Sequence, residues 1–322
     1  MKHSPLTEQK MNKIYYFLFL SLLLGACAKE DALEPTGAND DHFTVPATAT
    51  DPESVMRREF YEKTGVHLLF NDTLRREQRG TFEDGSPRWY TETLDLGYSM
   101  TGNNDAPELT YLQTDLEKEK AVEFVEKYIL PHMGQAVRPY SFLMLNTIYG
   151  MDPDTYRRGN LNYYVGMRTM ALSMDPVFKL ETEEEYATHC IAIFQSYVKS
   201  KLKLLDAAVT EPFELISDEW YYKKYADFDE DFWDNYDKLD AQGDDAGIDA
   251  YCKDIANQCG FIQTDTWSCR FPWYASNDLE DFVKAVLGTP EEEFMEMYED
   301  YPLVREKYTI VQKIIADMGF IF

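Results

Sequence analysis

The chain has 322 residues, 44% of them apolar and 15% aromatic, with 58 acidic against 31 basic side chains. A net charge of −27 repels phosphate backbones and anionic lipid surfaces, which excludes a nucleic-acid-binding role. The apolar share supports one large domain or two small ones in the ~270 residues beyond the N-terminal segments.

Lys10 and Lys13 precede an apolar run from Ile14 to Leu24, interrupted only by Ser21, and Gly25-Ala26-Cys27 follows. A cationic stub, an apolar run of this length and small residues at its end make a secretory signal, too short for a stop-transfer helix. Leu24-Gly25-Ala26-Cys27 resembles the bacterial lipobox. The expectation is a signal peptide over residues 1–26, with Met11 as the true start, cleavage before Cys27 and acylation of its thiol. Several acyl chains on Cys27 anchor a domain to a membrane stably, whereas one is marginal. Lys29-Glu30-Asp31 resembles the acidic signal that carries lipoproteins to the exterior face of the outer membrane. Residues 27–50 read as the lipidated Cys and a disordered linker, and 51–322 as a single domain.

In chain order, Pro52 to Lys63 reads as a helix with Asp51 as N-cap. Val66 to Phe70 and Arg88 to Leu94 are strand-like, with turn chemistry at Asp84-Gly85-Ser86-Pro87. Helical periodicity then runs over Asp115 to Leu130, ending at Pro131, and over Glu183 to Leu205. Further helices fit Leu279 to Leu287, Glu291 to Tyr298 and Val304 to Met318. Asn71-Asp72-Thr73, Asn103-Asn104-Asp105 and Gly150 to Gly159 read as loops. The fold class is mainly α with a small β part (α+β).

The histidines are His3, His42, His67, His132 and His189; none is followed by Glu and no two stand four apart, so a functional H-E-x-x-H is absent. Phosphate-binding loops, dinucleotide fingerprints and the G-x-S-x-G elbow are absent too. Asp227-Phe228-Asp229-Glu230-Asp231 begins like a calcium loop, but Phe232 replaces the turn Gly and Lys238 the bidentate Glu, so it reads as a solvated acidic loop. Beyond Cys27 the cysteines are Cys190, Cys252, Cys259 and Cys269; spacing permits a Cys259–Cys269 or Cys252–Cys269 bridge and does not choose between them.

Phe60 to Val66, Phe213 to Ser217 with Trp220, Cys259 to Ile262, Tyr274 to Phe282 and the helix from Tyr308 to Met318 occur in one order. In that order they resemble the zinc-binding metallopeptidase lipoproteins, also described as substrate import-associated zinc metallohydrolase lipoproteins. The resemblance covers most of 51–322 and implies a zincin-like architecture. The family's H-E-F-x-H signature falls on His189-Cys190-Ile191-Ala192-Ile193. By resemblance His189 matches the first metal ligand, Cys190 stands where the general base belongs and Ile193 where the second His belongs. In Glu280-Asp281-Phe282-Val283-Lys284, Lys284 replaces the family's second acid. One His without its partner gives no tetrahedral site.

The expected function is therefore a peptidase-like surface lipoprotein that binds without hydrolysing, with no cofactor. By resemblance its partners are a TonB-linked importer of the starch-utilisation type, that importer's surface lipoprotein, and a peptide or glycan ligand. Trp267, Trp273 and Tyr274 read first as core aromatics, with ligand contact as the alternative. Two other readings stand beside it. One is a metallohydrolase whose zinc site is rearranged onto His189 with Glu280 or Asp281; the other is a structural importer subunit with an exposed apolar patch.

Overall fold

The computed structural model describes residues 41–96, 106–152 and 156–321. The signal peptide, Met11, Cys27, the linker as far as residue 40, the 103–105 loop and the middle of the 150–159 loop lie outside the described residues. Among those described, no helix is long and apolar enough to cross a membrane.

The compact unit begins at Phe43, upstream of the expected boundary at 51. Phe43 is buried, and the guanidinium of Arg58 donates to the carbonyls of Pro46 and Ala49 at 3.1 and 3.2 Å. These bonds bind the end of the expected linker to the first helix, α1 (Pro52–Thr64). Asp51 caps α1 by accepting from Ser54 N at 2.9 Å, and Gly65 closes it at φ 71°.

A six-stranded sheet is built from β1 (His67–Leu69), β4 (Glu108–Tyr111), β5 (Ser141–Met151), β6 (Arg158–Leu161), β7 (Tyr163–Val165) and β8 (Thr169–Ser173). The long β5 is its spine. Its first half pairs in parallel with β1 on one side and β8 on the other; its second half pairs antiparallel with β4 and β6. Strands β2 (Thr73–Thr81) and β3 (Pro87–Thr93) form a separate antiparallel hairpin.

The fold is thus α+β, with a larger β part than the sequence suggested. Ser141 to Leu145 is buried throughout because both faces of the sheet are covered. Phe142 and Met144 join the main core, whereas Leu143 and Leu145 join a second layer with Leu69 and Ala171. Such a strand has no period-2 alternation and cannot be told from a buried helix segment by pattern. Gly150, read as a loop residue, lies within β5, where an added Cβ would meet Pro107 Cβ at 3.2 Å and Leu161 Cδ1 at 3.3 Å.

With α1, the helices on the main core are α2 (Asp115–Phe124), α3 (Glu183–Leu202), α4 (Ala207–Leu215), α7 (Ala275–Gly288), α8 (Glu291–Met297) and α9 (Pro302–Met318). Reciprocal capping boxes, Thr114 with Glu117 and Thr182 with Glu185, start α2 and α3. The expected helix to Leu130 instead loosens into a π turn over Val125–Ile129 and a 3-10 turn over Leu130–His132 that carries Pro131. Helices α5 (Phe232–Gln242) and α6 (Asp245–Gln258) pack with loops on a smaller core around Tyr225, Phe232, Phe261 and Phe271.

Lys307 and Asp278, which are 0% and 1% exposed, join Nζ to Oδ2 at 2.5 Å, and Tyr221 OH donates to the same oxygen at 2.8 Å. Burial pushes each group toward its neutral form, Asp278 up and Lys307 down; their mutual attraction opposes this, and the Tyr221 hydrogen bond also holds Asp278 down. Replacing Lys307 by Met leaves the carboxylate alone in the interior and should cost ~3–5 kcal/mol. Adding Asp278→Leu should recover most of that loss. Urea denaturation of the two variants tests this; a single-variant cost under about 1 kcal/mol would show that the pair is not held ionised.

Candidate functional site

Helices α3 and α7 pack along one another and bring the two segments of expected site residues into one region. They do not converge on a point. His189 faces Phe124, with ring centroids 6.1 Å apart, and its buried Nε2 has no hydrogen-bond partner. Cys190 and Ile193 are buried in the main core. Consecutive helical positions point about 100° apart, so His189 and Cys190 do not face one another. Glu280 is held by Lys199 at 2.9 Å, and Asp281 by Lys284 at 3.3 Å. Each acid a rearranged site would recruit is thus neutralised by a lysine.

The electrostatics agree with that geometry. Burial lowers the His189 pKa and raises that of the Cys190 thiol to about 12, so the thiol stays protonated and is no nucleophile. Burial also raises Asp281, with Lys284 opposing it. Among the described residues, no group of three His, Cys, Asp or Glu side chains is placed to hold a metal ion. The residues present do not fit a tetrahedral zinc. Beside them runs a groove of about 590 Å³ whose walls include Ala187, Cys190, Phe194, Val286, Leu287 and Phe320.

The aromatic residues behave differently from the first expectation. Trp267, Trp273 and Tyr274 are not core residues: they are 95%, 50% and 66% exposed. Trp273 meets Tyr222 edge to face at 4.6 Å, and the Arg270 guanidinium lies 5.6 Å from the Tyr222 ring and 5.9 Å from the Trp273 ring. Three backbone hydrogen bonds hold the two segments together. Tyr222 N donates to Pro272 O at 2.9 Å, Phe271 N to Lys223 O at 3.0 Å and Tyr225 N to Cys269 O at 3.0 Å. Tyr222 and Cys269 adopt left-handed φ values of 70° and 49°, a strained backbone for residues with a Cβ. The Tyr222 and Trp273 rings thus stand exposed on a frame pinned by backbone hydrogen bonds. Tyr222 and Arg270 were missed in the sequence; the run Trp220-Tyr221-Tyr222 was the available signal.

Two measurements follow from this geometry. Because burial lowers the folded pKa of His189, its neutral form is native. As pH falls below about 6.5 the unfolded chain binds a proton that the folded chain resists, so stability drops. His189→Leu should flatten that acid limb, read as the difference in urea midpoint between pH 7 and about 5.5; an unchanged difference would show that His189 is not its source. After exposure to equimolar zinc and gel filtration, elemental analysis should find no stoichiometric metal. Retained zinc that is lost on His189→Ala would restore the metallohydrolase reading. Comparison of the chain with family models, with curated proteins and with solved structures gives no match.

Proposed function

We propose that the chain is a lipid-anchored outer-membrane lipoprotein that binds a nutrient ligand at the cell exterior without hydrolysing it, on a zincin-like scaffold whose catalytic positions have been replaced. The observation that carries this reading is the exposed, rigidly framed cluster of Tyr222, Arg270 and Trp273. Its support is the state of the signature positions, where a protonated Cys190, a core Ile193 and a Lys284 paired with Asp281 stand.

A glycan suits this surface best. Flat aromatic rings present π faces to the C–H face of a sugar, and a guanidinium donates to hydroxyl oxygens. The strongly negative chain disfavours an anionic ligand. A second reading, a structural subunit packing against a TonB-linked importer, is favoured by Trp267. It projects almost wholly into solvent, and Trp, Tyr and Arg dominate the energetics of protein interfaces.

Titrating the purified chain with maltohexaose and cellohexaose while following tryptophan fluorescence separates the two. Saturable binding weakened at least tenfold (~1.4 kcal/mol) by Trp273→Ala, with unchanged circular dichroism, supports the glycan reading. Neither sugar giving a saturable signal removes it. If instead Trp267→Ser abolishes co-purification with the outer-membrane importer, the structural role stands.

A further inference from the structure

The groove beside Cys190 takes no part in glycan binding at the aromatic loop, and its walls come from several elements. Helix α3 contributes Cys190 and Phe194, α7 its last residues Val286, Leu287 and Gly288, and the segment after α9 Phe320 and Ile321. That segment is tied to His132, which also lines the groove: Ile321 N donates to His132 O at 3.0 Å, and His132 Nδ1 lies 3.1 Å from Ile321 O. A volume of about 590 Å³ with mainly apolar walls is that of a small-molecule pocket. Gly288 keeps it open. A Cβ added there would meet nothing nearer than Ile191 Cγ2 at 4.0 Å, and the backbone at this position does not call for a glycine.

The polar groups around these walls favour a donor with positive charge. The π turn over Val125–Ile129 brings Tyr128 to the groove, and such turns recur at functional sites. The Tyr128 hydroxyl donates to Glu183 Oε2 at 3.0 Å, and Lys127 Nζ donates to Glu183 Oε1 at 2.8 Å. A carboxylate offers about four lone-pair sites, so Glu183 keeps acceptor capacity after both bonds. Pro290 has no N–H with which to answer Val286 O, so α7 ends at the groove with unpaired carbonyls and a partial negative charge. Glu183–Glu185 open α3 and Glu291–Glu293 open α8, next to the groove residues Glu183 and Pro290, and these glutamates outnumber Lys127.

We propose that this groove binds an apolar amine. Its aliphatic or aromatic body lies against Cys190, Phe194, Val286, Leu287 and Phe320, and its protonated nitrogen pairs with Glu183, with the negative end of α7 adding to the attraction. Burial of the body drives association whatever the head group. Charge then selects among bodies of one shape. A carboxylate would meet Glu183 and the helix end as a like charge, and a chain of net charge −27 concentrates cations at its surface. An alcohol gains a hydrogen bond without the ionic attraction. Tyr222, Arg270 and Trp273 do not line this groove, so the proposal does not depend on what that surface binds.

The experiment uses the full chain carrying Cys27→Ser, so that no acyl chain competes for the groove. Octylamine, octanol and octanoate, each below its micelle concentration, are titrated into it by calorimetry. The expected result is one saturable site for octylamine, with octanol weaker by about threefold and octanoate by about tenfold. Gly288→Leu should fill the groove and weaken octylamine by about tenfold, while the urea midpoint stays the same or rises. Glu183→Gln should weaken octylamine by about threefold and leave octanol unchanged. Trp273→Ala should change neither. Absence of saturable octylamine binding overturns the proposal, as does octanol or octanoate binding as tightly, or Gly288→Leu leaving the affinity unchanged. None of these outcomes bears on the glycan titration.

Discussion

The buried pair of Lys307 and Asp278 is the constraint on which the helical half of the molecule depends. Asp278 belongs to the first turn of α7, Lys307 to α9, and the Tyr221 hydroxyl that completes the cluster comes from the segment entering the smaller core. The ammonium also lies 4.6 Å from the Phe213 ring of the main core and 4.5 Å from the Phe261 ring of the smaller one. Neither charge can leave without stranding the other in an apolar medium, so α7, α9 and the Tyr221 segment are held in register.

Seen from there, α7 links two regions. Its middle and end pack against α3, where Cys190 and Ile193 are core side chains and Glu280 and Asp281 are lysine-paired acids. Its start follows directly on Trp273 and Tyr274, which face solvent. A metal site needs several ligands to converge while desolvated, and among the described residues His189 belongs to no group of three His, Cys, Asp or Glu placed to hold one. A contact surface asks less: a few aromatic faces held still, which the backbone bonds between 222–225 and 269–272 supply.

Legibility in the sequence followed locality. The start of α1 could be read because Asp51 caps it within a single turn, and α3 could be read from the apolar period along it. The sheet was under-read because β5 is buried on both faces, and helices α5 and α6 were missed among acidic residues whose apolar partners lie elsewhere in the chain. Cys190, Ile193 and Lys284 were singled out only through the family resemblance of the segments that carry them. Exposure of Trp267, Trp273 and Tyr274 could not be, because the same residue types serve equally well in a core.

By itself, the sequence determined the acidic charge, the absence of a His pair at metal spacing, the signal-like start and the helices that carry their own caps. Each is a property of composition or of residues a few positions apart. Tertiary structure alone decided that β5 is the spine of the sheet, that Asp278 meets Lys307, and that the aromatic loop faces outward. Those are long-range pairings, and whether a side chain is buried, paired or exposed depends on which distant segment packs against it.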